Sequence, residues 1–226
     1  MSGQRISFDV EGQPAHGYLA LPSQPDAPSV LVLHAWWGLN SFFESVCDRL
    51  AAEGFAVFAP DLNEGRVATT VDEAKQIMDE LDFSRKQAVV SAAVDFLRAR
   101  PEVGKEPLSL IGFSMGAAWS LGLASARPED VGKMVLFYGI GEGDYTKIRA
   151  EILGHFSDAD EWEPMEGIRG VEADMRAAGL NPTFHIYPQR AHWFFEEDRP
   201  EHDPEAAALA WARTLEFFRQ HLQPEG

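Results

Sequence analysis

Short, continuous apolar runs alternate along the chain with longer segments of helical spacing, and this alternation constrains the fold more than any other feature. Runs such as 29–36 and 55–62 carry apolar residues at successive positions, which is typical of strands buried on both faces. Amphipathic segments such as 41–54 and 84–99 separate such runs. The pattern predicts an α/β fold, a mostly parallel sheet with helices on both faces, whose functional residues lie at the carboxyl ends of strands.

The amino-terminal residues follow another pattern, because two short runs at 6–10 and 16–22 predict an antiparallel hairpin. With 226 residues, 45% of them hydrophobic, we expect one domain over 1–226 and no large lid domain. Further strands are predicted at 107–113, 132–140, 150–156 and 182–188, and further helices at 70–81, 115–126, 164–180 and 205–222.

Charge and composition exclude several classes of function. The net charge of −17 argues against nucleic acid and against anionic membrane surfaces, which both attract basic patches. No apolar stretch approaches the length of a membrane-spanning helix, and the start resembles no secretory signal, so a cytoplasmic location is expected. No HExxH motif, paired cysteines or dinucleotide-binding fingerprint is present, so neither a metal nor a cofactor is expected. Nothing in the sequence predicts the oligomeric state.

A candidate nucleophile lies in the segment "GFSMG", where Ser114 stands between Gly112 and Gly116 after an apolar run. Such a strand–turn–helix junction is a nucleophile elbow, in which glycines permit a sharp turn and close packing of backbones. The N–H of Met115, at the start of the following helix, is a candidate oxyanion donor. The alternative is an ordinary tight turn with a passive serine. The one cysteine, Cys47, lies within an amphipathic segment without an elbow, which predicts a buried thiol.

A serine hydroxyl needs a base that is itself oriented by an acid. His192 lies directly after the last predicted strand and is the best candidate base. Its acid would follow the preceding strand, where Asp158, Asp160 and Glu161 compete and spacing alone does not choose. Five other histidines lie in predicted strands or helices or at their ends and are interpreted as structural: His16, His34, His155, His185 and His221. His202 lies beside a predicted helix start.

The ordered segments "VLHAWWGLN", "APDL", "IGFSMGAA", "GHFSDADEWEP" and "RAHWFF" resemble the dienelactone hydrolase family of α/β-hydrolases. The resemblance spans roughly residues 15–220. It implies an α/β-hydrolase fold, no cofactor, and a small-molecule ester or lactone as substrate. Counting back from Pro164, the family pattern implies Asp160 as the acid. It also implies the N–H of Trp36 as the second oxyanion donor.

The chain departs from the type members of that family at three positions. They use a cysteine nucleophile where Ser114 stands, and a glutamate beside the oxyanion residue where this chain has Ala35. These two changes agree, because a serine does not need the carboxylate that interacts with a resting thiol. The type members also bind the substrate carboxylate with an arginine four residues after the histidine, where this chain has Glu196. We therefore expect Glu196 to face the substrate and disfavour an anionic one, unless Arg190 supplies the missing charge.

Four tryptophans lie beside the predicted catalytic loops: Trp36, Trp37, Trp162 and Trp193. Each could serve packing alone, but together they suggest an apolar substrate pocket. The sequence thus predicts a serine hydrolase that cleaves a small ester or lactone through an acyl-enzyme. A thioesterase, amidase or acyltransferase would use the same machinery. A non-catalytic binding protein on this fold is the alternative of another class.

Overall fold

An eight-stranded sheet forms the centre of the computed structural model, which describes residues 3–220. The strands are β1 (Gln4–Val10), β2 (Gln13–Ala20), β3 (Ser29–Leu33), β4 (Ala56–Pro60), β5 (Leu108–Phe113), β6 (Val131–Phe137), β7 (Glu151–Ser157) and β8 (Thr183–Tyr187). The helices are α1 (Ser41–Ala52), α2 (Val71–Glu80), α3 (Phe83–Arg98), α4 (Met115–Ala126), α5 (Met165–Ala177) and α6 (Pro204–Arg219), with a short 3-10 helix at Tyr145–Lys147.

The strands run in the order β1-β2-β4-β3-β5-β6-β7-β8. The pairs from β4 to β8 are parallel, whereas β1 pairs with β2 and β2 with β4 in antiparallel fashion. A turn at Glu11 and Gly12, both with positive φ, joins the hairpin, as the twist of two-residue hairpin loops requires. The predicted α/β-hydrolase architecture, including the amino-terminal hairpin, is confirmed.

Helices cover both faces of the sheet. Side chains of α1 and α6 pack on one face and those of α3, α4 and α5 on the other. Successive residues of β3 alternate between these two cores, with Val30 and Val32 on one side and Leu31 and Leu33 on the other. All four are fully buried, which explains why this strand reads as an unbroken apolar run.

Several strands end earlier than the apolar runs predict, and each end has a local cause. The run 29–36 is strand only to Leu33, because the chain then turns, with the Gly38 N–H donating to the carbonyl of Ala35 at 3.2 Å. The run 132–140 is strand only to Phe137, because Tyr138 adopts a φ of 35°. In both cases the apolar residues beyond the strand line the carboxyl edge of the sheet instead of extending it.

Helix boundaries agree with the local capping signals. Thr70 and Glu73 form a capping box at the start of α2, and the Asn40 side chain accepts N–H bonds at the start of α1. The predicted end of the last helix at 221–222, with His221, lies outside the described residues. Within the described part of the chain, no helix combines the length and apolar character needed to cross a membrane.

Candidate active site

Ser114 lies in a sharp turn between β5 and α4 and adopts φ 50° and ψ −111°, a conformation that L-residues rarely take. Its N–H donates to the carbonyl of Phe137 at 2.9 Å, which ties the turn to the neighbouring strand β6. The hydroxyl is thereby held at the carboxyl edge of the sheet, at the amino terminus of α4. A strained turn that projects a serine in this way is the geometry of a nucleophile elbow.

The two glycines that flank Ser114 are required by close backbone approach. A Cβ atom at Gly116 would overlap the carbonyl oxygen of Leu33 on the adjacent strand β3. One at Gly112 would overlap the carbonyl oxygen of Gly116 and the hydroxyl of Ser120. Because neither backbone can move without separating α4 from the sheet, both positions need the smallest residue.

Ser114, His192 and Asp160 form a continuous chain of hydrogen bonds. His192 Nε2 lies 2.8 Å from Ser114 Oγ, and its Nδ1 lies 2.7 Å from Asp160 Oδ2. The second carboxylate oxygen of Asp160 accepts the N–H groups of Trp162 at 2.8 Å and Glu163 at 2.9 Å. An ionised Asp160 accepts from Nδ1–H, so Nε2 is left as the acceptor for the serine hydroxyl.

The three competing acids in this loop have different surroundings. Asp160 is buried against His192, whereas the Asp158 carboxylate is exposed and accepts the N–H of Gln189 at 2.6 Å. Glu161 is also exposed. Of the three, the geometry brings Asp160 to the histidine.

Nearby, burial raises the pKa of Glu163 to about 7, and the charge of Asp160 acts in the same direction.

The loop that carries Trp36 is held by a network that the sequence did not reveal. The His34 ring bonds the carbonyl of Ala35 through Nδ1 at 2.6 Å and accepts the N–H of Leu62 through Nε2 at 3.0 Å. With its Nδ1 protonated, His34 donates to the carbonyl oxygen of Ala35, which belongs to the Ala35–Trp36 peptide group. Because a trans peptide directs its oxygen and its hydrogen to opposite sides, this bond fixes where the Trp36 N–H points.

Neither the Trp36 N–H nor the Met115 N–H donates to a protein acceptor among residues 3–220. The first belongs to the loop after β3, and the second is the first N–H of α4. Helix amino termini leave such donors unsatisfied and carry a partial positive charge, which suits a developing anion. The Asn63 side chain adds support by donating to the carbonyl of Trp36 at 2.9 Å.

The four tryptophans come together as one cluster. Ring centroids lie 5.1 Å apart for Trp36 and Trp162, and 5.0 Å apart for Trp37 and Trp193. Trp37 and Trp193 are buried, whereas Trp162 is 44% exposed at the rim. A cavity of about 220 Å³ lies beside the cluster and reaches His192. Its lining comprises Ala159, Glu161, Trp162, Ala191, His192, Trp193 and Glu201.

Glu196 points into the protein interior, whereas the sequence led us to expect it in the substrate pocket. Its side chain is fully buried and accepts a hydrogen bond from the Tyr138 hydroxyl at 2.8 Å. Burial raises the pKa of Glu196 to about 8, so the group is largely neutral at pH 7. The cause is a turn in which the Glu196 N–H donates to the carbonyl of Trp193, which directs position 196 inward. Arg190, the other expected source of charge, pairs with Asp203 at 2.9 Å.

Other residues are placed as follows. Cys47 is fully buried, as predicted, and burial raises the pKa of its thiol well above the usual value. Among residues 3–220, no group of three or more histidine, cysteine, aspartate or glutamate side chains could hold a metal ion. Tyr138 and Glu163 lie against the site but were not predicted as site residues. Tyr138 belongs to no motif, and Glu163 lies within the segment "GHFSDADEWEP", where only Asp158, Asp160 and Glu161 were considered.

The chain is similar to known proteins in sequence and in fold. The profile of the dienelactone hydrolase family matches residues 15–222. "Protein usf" of Aquifex pyrophilus is 32% identical over 97% of this chain and 99% of its own length. A protein of Aquifex aeolicus, provisionally named carboxymethylenebutenolidase, is 30% identical over 98% of this chain and 100% of its own.

Solved structures share the fold at lower identity. A dienelactone hydrolase-like promiscuous phosphotriesterase from metagenomic libraries superposes with a TM-score of 0.84 at 23% identity, covering 96% of this chain and 97% of its own. A thermophilic esterase of Thermogutta terrifontis superposes with a TM-score of 0.76 at 17% identity, covering 100% of this chain and 95% of its own. At these identities the likeness concerns the fold alone, whereas the family profile covers most of the sequence. The chain belongs to the dienelactone hydrolase family.

Proposed function

We propose that the protein is a serine hydrolase that cleaves a small ester or lactone through an acyl-enzyme intermediate. The observation that carries the proposal is the hydrogen-bonded chain from Ser114 through His192 to Asp160, which starts at a strained elbow. Nucleophile, base and orienting acid within hydrogen-bond reach of one another are what acyl transfer requires.

In the first step Ser114 Oγ attacks the carbonyl carbon while its proton moves to His192 Nε2. The tetrahedral intermediate then collapses as the same proton passes to the leaving oxygen, and the acyl group stays on Ser114. The leaving oxygen departs as an alcohol from an ester and remains as a hydroxyl group of the opened chain from a lactone. Water repeats the sequence, giving a proton to His192, releasing the acid and restoring the serine. Asp160 holds the imidazole in the required tautomer and stabilises its cation.

The N–H groups of Trp36 and Met115 are proposed to bind the oxyanion of both tetrahedral intermediates. Support comes from their shared lack of a protein acceptor within the described residues and from the bonds that orient the Ala35–Trp36 peptide. Donors fixed in advance need no reorganisation when charge develops, and removing one such donor typically costs ~10²–10³ in kcat.

The substrate class rests on the relatives. Names that refer to carboxymethylenebutenolidase and lactonase activities occur among curated proteins that match nearly the whole chain. The cavity of about 220 Å³ beside His192 is also of a size suited to a small group rather than a polymer.

The test is labelling with a fluorophosphonate probe, followed by peptide mapping and ester turnover. We expect the label on Ser114, loss of labelling and turnover in Ser114→Ala, and near-normal behaviour in Cys47→Ala, the matched nucleophile control. A protein that folds normally but neither labels nor turns over any ester would favour a non-catalytic binding role. Labelling that persists in Ser114→Ala would refute the assignment of the nucleophile.

A further inference from the structure

A second and larger cavity lies in the groove between α3 and α4. Its volume is about 510 Å³, within the usual range of small-molecule pockets. Its walls are mainly apolar, and on one side Phe83 and Trp119 stack with centroids 4.6 Å apart. From α4 the lining residues are Met115, Ala118, Trp119, Gly122, Leu123 and Ala126.

The groove begins beside the proposed catalytic serine. Met115, which lines it, directly follows Ser114 and donates the N–H assigned to the oxyanion. From there the lining residues of α4 recur every three or four positions, so they occupy one helix face as far as Ala126. At 1.5 Å per residue, this face is about 16 Å long. The groove therefore runs along one face of α4, and its first lining residue on that helix, Met115, follows Ser114 in the chain.

Charged side chains of Lys86, Arg127 and Glu142 also line the groove, and the first two have contacts within the protein. Arg127, at the far end, pairs with Asp95 at 2.6 Å, and Lys86 directs its ammonium group to the sulfur of Met78 at 3.4 Å. Gly122 stands in the middle of the α4 face, and a Cβ atom there would meet nothing within 4 Å. A glycine in a helix interior costs stability, and here it leaves the floor of the groove open.

The proposed chemistry decides which half of a substrate each cavity receives. His192 must pass its proton to the leaving oxygen, so the alcohol departs on the side of His192 and the 220 Å³ cavity. The carbonyl oxygen points at the N–H of Met115. The remaining substituent of the carbonyl carbon, the acyl chain, can then extend past Met115, which lines the groove.

We propose that the groove between α3 and α4 binds the acyl chain, so that the enzyme prefers esters of unbranched apolar acids of medium length. This inference rests on the proposed function, since it uses the assignment of Ser114 and His192. Each methylene group that moves from water into the groove should increase the binding constant about two- to fourfold when its burial is partial. Octanoate esters, with six more methylenes than acetate esters, should therefore have a kcat/KM at least about 50-fold higher.

The test compares 4-nitrophenyl acetate and octanoate on wild type, Gly122→Phe and Gly170→Phe. The Gly122→Phe side chain enters the groove from α4 without backbone displacement, because the space above Gly122 is empty. Gly170 has equal space on α5 and lies outside the groove, so Gly170→Phe is the matched control. We expect the octanoate-to-acetate ratio to fall to within about threefold of one in Gly122→Phe and to keep its wild-type value in Gly170→Phe.

A binding measurement separates failure of the groove from failure of the proposed function. Ser114→Ala protein is titrated with methyl octanoate, with tryptophan fluorescence as the signal, because Trp119 lines the groove. Saturable binding that Gly122→Phe abolishes supports the groove even if wild type cleaves no ester, a result that would overturn only the proposed function. Wild type that cleaves acetate and octanoate esters equally, with no effect of Gly122→Phe, would overturn the groove and leave the hydrolase assignment intact. The wild-type protein could instead form a dimer that dissociates in Gly122→Phe, with hydrolysis rates that do not depend on acyl-chain length. That result would assign the groove to a subunit interface and would also overturn the proposal.

Discussion

His192 Nε2 lies 2.8 Å from Ser114 Oγ, although 78 residues separate the two in the chain. The serine follows β5 and the histidine follows β8, two strands that are not neighbours in the sheet. Parallel strands deliver their following loops to the same edge, so residues far apart in sequence meet above it.

Asp160→Asn should lower kcat by ~10⁴, because an amide in place of the carboxylate favours the wrong imidazole tautomer. Asp158→Asn is the matched control, since Asp158 bonds the N–H of Gln189 and does not touch His192. The measurement is steady-state kinetics with an ester. Circular dichroism verifies that both variants are folded. Equal losses in the two variants would contradict the assignment of Asp160.

Gly116→Ala should destabilise the fold by about 3 kcal/mol, because the added methyl overlaps the carbonyl of Leu33. Gly170→Ala makes the same change in an open position of α5 and should stabilise by about 0.5–1 kcal/mol. Urea unfolding of both variants measures the difference. If Gly116→Ala is as stable as wild type, α4 does not pack on β3 as closely as described.

Glu196→Gln should change how stability depends on pH. Burial raises the pKa of Glu196 from the ordinary 4.5 to about 8, so folding favours its protonated form. The contribution of Glu196 to the free energy of unfolding should then be greatest below pH 4.5 and fall as the pH rises towards 8, by about 2–4 kcal/mol. A glutamine cannot ionise, yet its oxygen still accepts the hydrogen bond from Tyr138.

We therefore expect Glu196→Gln to match wild type near pH 5 and to exceed it in stability near pH 9. Glu197→Gln, which removes the adjacent exposed carboxylate, is the control and should follow the wild-type pH profile. Urea unfolding across this pH range is the measurement. Parallel profiles for wild type and Glu196→Gln would mean that Glu196 is not buried as a neutral acid.

Trp162→Ala should raise KM for phenyl esters about three- to tenfold, because an aryl leaving group loses a ring contact at the rim of the cavity beside His192. Methyl esters of the same acid are the internal control and should change much less. The comparison requires KM and kcat for both esters on both proteins. A loss of equal size for the two esters would place the leaving group elsewhere.

Local features were predictable from the sequence, because they depend on residues close together in the chain. The alternation of apolar runs and amphipathic segments predicted the α/β architecture, since it reflects which faces of each element are buried. The elbow around Ser114 was equally visible, because its glycines, strand and helix are contiguous. The position of His192 directly after β8 was sufficient to propose it as the base.

Tertiary structure decided which distant side chains meet and which turn inward. Asp158 and Asp160 are equivalent by residue type, and only the fold of the loop brings Asp160 against His192. Glu196 follows His192 in what reads as an open loop, yet a turn buries it against Tyr138. The groove between α3 and α4 depends on the separation of two helices. These outcomes follow from packing between elements, which residue spacing does not determine. Strand, helix and turn preferences are local, so the sequence itself determines them.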